Sequence, residues 1–293
     1  PSYTAYTRIG EGCSNCCTFC AIPKIRGPYR SRPEADILRE IESLAKQGVK
    51  EHILVAQDTS RYGMDFGGGS KLAELMQKAA KIDGVDWLRV LYCYPEETSE
   101  QLLDIIANTP NICSYVDLPI QHVNDAVLKR MHRRGTSADI RRAVKGAHER
   151  GITLRTSIIV GFPGETYEEF LDTVSLIKEV EFTSLFTFIY SRRTGTKAAE
   201  LPDPVSREEK GKWFKELCDV QEEIAARRTA EMDGKTYRVL VEGKSKNKEN
   251  YLSGRTDGNI IIEFPGDESL IGDFCRVKVT ESLNWILRGE LAQ

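Results

Sequence analysis

Four of the eight cysteines lie within eight consecutive positions near the start of the chain. Three of them, Cys13, Cys17 and Cys20, follow the spacing C-x3-C-x2-C. Three thiolates so close together can hold a [4Fe–4S] cube and leave its fourth iron without a protein ligand. That open iron could bind a substrate, as the open position of a catalytic zinc does. The spacing therefore predicts a metal centre that does chemistry.

Other interpretations of these cysteines stay open. Cys16 offers a rival spacing, C-x2-C-x3-C, together with Cys13 and Cys20. Zinc would need a fourth ligand, and the remaining cysteines lie singly on separate predicted elements. Buried structural thiols are a third interpretation. A secreted disulfide scaffold would be smaller and richer in cysteine, so the composition favours a cytoplasmic chain with a local thiolate metal site.

The first two thirds of the chain alternate short apolar runs with segments of helical periodicity. The apolar runs predict strands at Thr4–Ile9, His52–Ala56, Trp87–Tyr94, Tyr115–Pro119, Leu154–Val160 and Ser184–Tyr190. The periodic segments predict helices at Ser31–Gly48, Lys71–Ile82, Glu100–Ala107, Asp125–Met131, Ala138–Arg150, Glu168–Val180 and Ser206–Ala230. Six strand-then-helix units predict an α/β fold, a partial (β/α)6 TIM-like barrel, with a doubly wound sheet as the alternative. In both folds, catalytic and ligand-binding residues are expected in the loops after the carboxyl ends of the strands.

The pattern changes near Asp233, where short strands are separated by turn-forming pairs such as Asp257-Gly258. The predicted strands are Tyr237–Glu242, Asn250–Thr256, Asn259–Phe264, Asp273–Thr280 and Trp285–Arg288. Five short strands in about 60 residues are typical of a small antiparallel, OB-like barrel. We therefore predict two domains, 1–229 and 230–293. No apolar run approaches the ~20 residues of a membrane span.

Polar residues and a glycine stand at the predicted functional ends of three strands. Gln57 and Asp58 end the second strand, Gln121 and His122 end the fourth, and Gly161 opens the turn after the fifth. Ordinary turn chemistry also accounts for Asp58 and Gly161. A satisfied core histidine equally explains His122.

Arginines supply further candidates. Arg155 lies inside an apolar strand and needs a partner, either a structural carboxylate or that of a bound cofactor. Arg26, Arg30 and Arg32 follow the cysteines and could neutralise an anionic ligand or form surface ion pairs. The densest basic run, 129–134, is interpreted as a solvated helix end, with a docking patch as the alternative.

The segment Cys13-x3-Cys17-Thr18-Phe19-Cys20, at the end of the first strand, resembles the signature of radical S-adenosylmethionine (SAM) enzymes. Other segments resemble the methylthiotransferases of that family: Glu11-Gly12, Ala21-Ile22-Pro23, Arg26-Gly27, Arg30-Ser31-Arg32, Gln57-Asp58-Thr59, Tyr62-Gly63, Gln121-His122 and Gly161-Phe162-Pro163-Gly164-Glu165-Thr166. The closing barrel resembles their TRAM domain. The resemblance covers essentially the whole chain.

This resemblance implies a [4Fe–4S] cluster on the three cysteines that cleaves SAM to methionine and a 5′-deoxyadenosyl radical. It implies Phe19 beside the adenine and the adenine edge against Val160 and Gly161. It places Gln57 near the methionine amino group and makes Gln121 a ribose or substrate contact. The methionine carboxylate would be a fitting partner for Arg155. A flavodoxin or ferredoxin is implied as electron donor.

Family members of full length carry an amino-terminal domain with three more cysteines and a second [4Fe–4S] cluster. By the same resemblance, sulfur and a methyl group are delivered through that second cluster. The present chain begins at Pro1 with the radical domain, so we expect it to be the catalytic core of a longer protein.

The substrate class rests on charge and on the resemblance, which is nearest to members that methylthiolate the β-carbon of an aspartate in a small-subunit ribosomal protein. Residues 230–293 carry nine basic and eleven acidic side chains, a net charge of −2. An RNA-binding barrel normally needs a basic face, so a basic ribosomal protein is favoured. A transfer RNA methylthiotransferase is the alternative. A non-catalytic RNA- or ribosome-binding protein with a structural metal is the remote one.

Overall fold

Six parallel strands form the centre of the first domain in the computed structural model, which describes residues 3–292. Strands β1, β4 and β5 make one parallel sheet and β6, β7 and β8 another. A parallel bridge between Leu88 and Ile112 and a hydrogen bond from the Cys93 N–H to the Asp117 carbonyl (2.9 Å) join the two sheets. The bounds of this domain's strands are β1 Thr4–Arg8, β2 Gly10–Glu11, β3 Arg30–Ser31, β4 Glu51–Val55, β5 Trp87–Val90, β6 Tyr115–Gln121, β7 Thr153–Val160 and β8 Ser184–Ile189.

Within residues 3–292, β1 and β8 are not paired, so the barrel is partial, as predicted. Helices cover its outer face because their apolar residues recur on one side, as Ile37, Ile41 and Ala45 do in α2. Capping boxes begin α6 at Thr136 and α7 at Thr166. The helices are α1 Ile22–Arg26, α2 Glu34–Lys46, α3 Leu72–Ala79, α4 Glu100–Asn108, α5 Asp125–Arg130, α6 Ser137–Glu149, α7 Tyr167–Val180 and α8 Arg207–Ala230. No helix among these residues has both the length and the apolar character to cross a membrane.

The last strands form a separate closed barrel in the order β10-β11-β13-β12-β9, which confirms the predicted small barrel. The prediction of purely antiparallel strands is wrong at one place, because β11 and β13 pair in parallel to close the barrel. Its strands are β9 Thr236–Lys244, β10 Tyr251–Arg255, β11 Ile261–Pro265, β12 Phe274–Leu283 and β13 Ile286–Leu291. Its core includes the fully buried Val239, Ile262 and Phe264. A short connection separates the end of α8 from β9. The division of the chain at 229/230 remains a prediction.

Arg89 joins the two domains from a buried position in β5. Its Nε lies 2.8 Å from the buried Glu51 carboxylate, and its other nitrogens donate to the carbonyls of Asp257 (2.6 Å) and Thr256 (3.3 Å) in the closing barrel. Glu51 is the first residue of β4, and two further ion pairs with the closing barrel, Lys50–Asp273 and Asp86–Arg238, lie just before β4 and β5. The closing barrel therefore docks at the end of the strands opposite to the one where chemistry is expected.

We predict that Arg89→Met costs about 3–5 kcal/mol in free energy of unfolding, because it leaves the buried Glu51 carboxylate without a positive charge to pair with. The matched control is Lys50→Ala, which removes an exposed interdomain ion pair with Asp273 and should cost at most about 1 kcal/mol. Urea unfolding measures both. Equal losses would contradict the assigned role of Arg89.

Candidate metal centre and cofactor site

The cysteine loop runs between two short strands that pair as a hairpin. Gly10 and Glu11 of β2 pair with Ser31 and Arg30 of β3, so the hairpin holds both ends of the loop. Within the loop, the Cys13 N–H donates to the Gly27 carbonyl (3.0 Å). Gly12 has φ +78°, and a Cβ there would lie 2.2 Å from the Pro28 carbonyl oxygen, so the turn requires glycine. Neither this hairpin nor α1 was predicted, because two-residue strands and a five-residue helix show no readable periodicity.

The three predicted ligands share one environment. Each sulfur accepts an N–H: Cys13 Sγ from Asn15 N (3.4 Å), Cys20 Sγ from Ile22 N (3.5 Å) and Cys17 Sγ from Arg133 Nη1 (3.9 Å). The exposed Cys16 thiol instead donates to the Ser14 carbonyl (3.9 Å). Hydrogen bonds to sulfur are characteristic of iron–sulfur ligation. The donor set therefore fits a cluster on the other three cysteines.

Burial raises the pKa of the Cys13 and Cys17 thiols. For Cys13, the Asp58 carboxylate and the Cys17 and Cys20 sulfurs raise the pKa further, so these groups are near enough to interact. Metal binding would displace the thiol protons. Among residues 3–292, no group of three or more His, Cys, Asp or Glu side chains is arranged around a single ion. A [4Fe–4S] cube does not need such an arrangement, because each thiolate binds a different iron of the cluster.

The basic run 129–134 holds the cysteine loop in place. Thr18 donates twice to it, from its N–H to the Met131 carbonyl and from its hydroxyl to the Arg130 carbonyl, both at 3.0 Å. His132 Nδ1 lies 3.1 Å from the Cys16 carbonyl. The run is therefore more than the solvated helix end that its composition suggests. Its contacts with the cysteine loop could not be predicted, because contacts across 112 or more positions leave no local signal in the sequence.

The end of β4 meets the loop through a buried amide–carboxylate pair. Asn15 Nδ2 donates to Asp58 Oδ2 (2.6 Å), and Ser60 donates to the other oxygen (2.5 Å). Burial raises the pKa of Asp58, and these two hydrogen bonds oppose the rise. Beside it, Gln57 Oε1 is buried without a hydrogen-bond partner among the described residues. An unpaired buried acceptor suits an ammonium donor from a ligand.

Phe19 lies against the loop that follows β7. Its ring meets that of the fully buried Phe162 edge to face, with centroids 6.4 Å apart. Phe162 directly follows Val160 and Gly161, so the predicted adenine contacts are brought together. Gly161 has φ +70°, and a Cβ there would lie 2.5 Å from the stem of Lys210, whose amine is held by Asp203 at 2.6 and 2.7 Å.

Gln121 and His122, at the end of β6, have different surroundings. Gln121 is half-buried with φ +70°, a conformation that is strained for a residue with a side chain. His122 is buried, and its Nδ1 accepts the Asn124 N–H (3.0 Å). Its Nε2 must therefore carry the proton, which it donates to the buried Glu165 (3.0 Å). The Glu165 carboxylate also accepts the Phe162 N–H (2.7 Å), so the pair fixes the β7 loop.

Arg155 lies apart from the other predicted cofactor contacts. It is the third residue of β7, and its Nε and Nη2 bind Asp117 of β6 at 3.1 and 2.8 Å. Its guanidinium also lies over the Phe186 ring, 4.8 Å from the centroid. Of the two partners considered for Arg155, the structure therefore shows the structural carboxylate, which is that of Asp117. A role toward the cofactor carboxylate remains a prediction.

The three arginines after the cysteines are mostly engaged in surface pairs. Arg26 pairs with Glu11 (3.1 Å) and Arg32 with Glu40 (2.8 Å). Arg30 is exposed and forms no ion pair within the described part of the chain. These pairs favour the surface interpretation for Arg26 and Arg32.

Comparison with known proteins identifies the class. Residues 7–177 match the Radical SAM superfamily and residues 230–292 match the TRAM domain. Because the first match spans more than half of the chain, the chain belongs to the radical SAM superfamily. Membership implies a [4Fe–4S] cluster and SAM.

Curated relatives narrow the comparison to one kind of enzyme. The chain is 48% identical over 296 residues to the ribosomal protein uS12 methylthiotransferase RimO of Clostridium botulinum, covering 99% of this chain and 66% of the relative. It is 44% identical over 302 residues to RimO of Trichlorobacter lovleyi, covering 100% and 67%. The resemblance to methylthiotransferases is confirmed. The chain spans about two thirds of the length of these relatives.

Solved structures agree on the fold. The radical SAM methyltransferase TsrM from Kitasatospora setae aligns with a TM-score of 0.57 at 21% identity, covering 67% of this chain and 38% of that one. Coproporphyrinogen III oxidase (HemN) from Escherichia coli aligns with a TM-score of 0.57 at 16% identity, covering 96% and 67%. At these identities the likeness concerns the fold alone, and it supports the partial barrel.

Replacing Cys13, Cys17 or Cys20 with alanine should reduce bound iron from about four atoms per chain to near zero after anaerobic reconstitution. Cys16→Ala is the matched control and should retain the iron, because the Cys16 thiol is exposed and donates to the Ser14 carbonyl. Iron assay and the visible spectrum measure both. Loss of iron in Cys16→Ala with retention in Cys17→Ala would contradict the assigned ligands.

Gly161→Ala should destabilise the protein by about 1–2 kcal/mol from its left-handed φ alone, and more from contact with Lys210. It should also weaken SAM binding more than tenfold, since it displaces Phe162 and with it Phe19. Gly211→Ala, within α8 with open space around it, should instead add about 0.5–1 kcal/mol of stability. Denaturation and equilibrium binding test the pair; unchanged SAM affinity in Gly161→Ala would argue against the adenine assignment.

Proposed function

We propose that this chain is the catalytic core of a radical SAM methylthiotransferase that modifies a ribosomal protein. One observation carries the proposal most directly: in a loop at the carboxyl end of the first barrel strand, the Cys13, Cys17 and Cys20 sulfurs each accept an N–H, whereas the exposed Cys16 thiol donates to the Ser14 carbonyl. The RimO relatives are named as methylthiotransferases of ribosomal protein uS12. By analogy, the target is the β-carbon of an aspartate.

In this proposal Cys13, Cys17 and Cys20 are the cluster ligands, three in number. When bound, the cluster would supply the electron that cleaves SAM to methionine and a 5′-deoxyadenosyl radical. Hydrogen abstraction from an unactivated carbon lies beyond any side chain, so the protein binds, orients and excludes water.

Residues at the carboxyl rim would orient the cofactor. Phe19 and the backbone of Val160 and Gly161 enclose the adenine, while the unpaired Gln57 Oε1 accepts from the methionine ammonium. Gln121 contacts the ribose or the substrate. Arg155 contributes its Nη1, the one terminal nitrogen that Asp117 does not engage, toward a carboxylate.

Partners of the whole protein follow from the same proposal. A flavodoxin or ferredoxin supplies the electron in the cytoplasm, and a second cluster in the longer parent supplies sulfur. The TRAM barrel, residues 230–293 in our division of the chain, captures the ribosomal protein. Its net charge of −2 suits a basic protein better than an RNA.

Charge neutralisation on the closing barrel tests the substrate class. Asp233, Glu249 and Glu290 are exposed and form no ion pair within residues 3–292, whereas Asp273 pairs with Lys50 and would disturb the domain junction. The triple variant D233N/E249Q/E290Q should bind uS12 about three- to tenfold more weakly, since each lost charge weakens attraction modestly. Titration at low salt measures the change, and substrate-dependent release of 5′-deoxyadenosine measures turnover.

Glu208→Gln, an exposed change on α8, is the charge control and should leave uS12 affinity unaltered. Tighter binding of transfer RNA by the triple variant, with turnover on that RNA, would replace the protein substrate by the RNA. Absence of 5′-deoxyadenosine with either substrate from iron-loaded, reduced protein would contradict the enzymatic proposal itself.

A further inference from the structure

Arg133 is the arginine of the basic run that faces the cysteines. Its Nη1 lies 3.9 Å from Cys17 Sγ, and its Nη2 donates to the Pro119 carbonyl at 2.9 Å. Its guanidinium carbon lies 4.2 Å from the centroid of the Tyr94 ring. Three contacts from three separate segments therefore fix the orientation of the guanidinium plane.

The charge of Arg133 has no carboxylate partner within the described residues. Its neighbours in the run differ, because Arg130 pairs with Glu169 (2.5 Å) and Arg134 with Glu96 (3.6 Å) and Glu97 (3.1 Å). Arg133 is half-buried, and a cation partly withdrawn from solvent is costly unless an anion compensates it. The anion that the geometry offers is the Cys17 sulfur, which is a thiolate when it holds a metal.

We infer that Arg133 is a positioning residue that raises the reduction potential of the cluster bound by Cys17. The inference rests on the proposed function, which supplies the cluster. Hydrogen bonds to sulfur and net charge set the potential of such centres. One electron enters from the external donor and adds negative charge beside a fixed cation, so the reduced state gains more stabilisation than the oxidised one. Arg133 itself keeps its protons throughout.

A purely structural role is the competing explanation. In that case Arg133 would only tie the cysteine loop to Pro119, and its loss would lower stability or iron content without changing the potential of the cluster that remains. The two explanations therefore differ in a redox measurement rather than in activity.

The experiment is a redox titration of the reconstituted chain, with dithionite as reductant and the electron paramagnetic resonance signal of the reduced cluster as readout. In Arg133→Gln the ratio of reduced to oxidised cluster at a fixed potential should fall about tenfold, which is about 59 mV for one electron. Arg134→Gln, which removes an adjacent positive charge that is already paired, should change the ratio less than threefold. Iron content is measured on each sample.

Equal potentials for Arg133→Gln and the unaltered chain would overturn the inference and leave the proposed function standing. Retention of iron by Cys17→Ala would instead remove the ligand assignment on which both depend. If Arg133→Gln holds no iron, Arg133→Lys carries the test. Lysine keeps the charge but cannot reach both the Cys17 sulfur and the Pro119 carbonyl, because it lacks the planar fork of arginine. The reduction potential of the cluster in Arg133→Lys should therefore be lower than that of the cluster in Arg134→Lys. Equal potentials in that pair would also overturn the inference.

Discussion

The loop from Gly12 to Tyr29 must present three sulfurs to one centre while many of its backbone groups find partners elsewhere. Much of it has no regular structure, so hydrogen bonds within the loop, such as that from the Cys13 N–H to the Gly27 carbonyl, satisfy only some of those groups. The rest of the domain supplies the partners: the Thr18 N–H donates to Met131 after α5, and the Thr18 carbonyl accepts the Ala198 N–H (2.9 Å). The hairpin of β2 and β3 closes the loop from the other side. These four segments together determine where the sulfurs lie.

The same loop couples the two sides of the cofactor site. Asn15 fixes Asp58 at the end of β4, and Phe19 packs on Phe162 at the end of β7. A change in the loop is therefore transmitted to both cofactor segments. The closing barrel is attached elsewhere, through Arg89 and through ion pairs of Lys50 and Asp86 just before β4 and β5. The fold thus separates the chemistry from the domain to which we assign substrate capture.

Sequence reasoning predicted the parts of the molecule that local pattern encodes. The six barrel strands, the long helices and the five strands of the closing barrel follow from periodicity and turn residues, and the cysteine spacing indicates the centre. Contacts between distant segments carry no such signal. The pairing of Arg155 with Asp117 depends on the register of β6 and β7, and that of His122 with Glu165 depends on how two loops meet. The contacts of the basic run with the cysteine loop were not predicted for the same reason, because 112 or more positions separate the two segments.

The central claim is that three cysteines hold a cluster whose fourth iron is open to SAM. Mössbauer spectroscopy of the chain reconstituted with 57Fe tests it most directly, because it distinguishes iron sites within one cluster. With three protein ligands, addition of SAM should alter the signal of about one quarter of the iron and leave the rest unchanged. A spectrum that SAM does not change, from protein that retains its full complement of iron, would contradict the account.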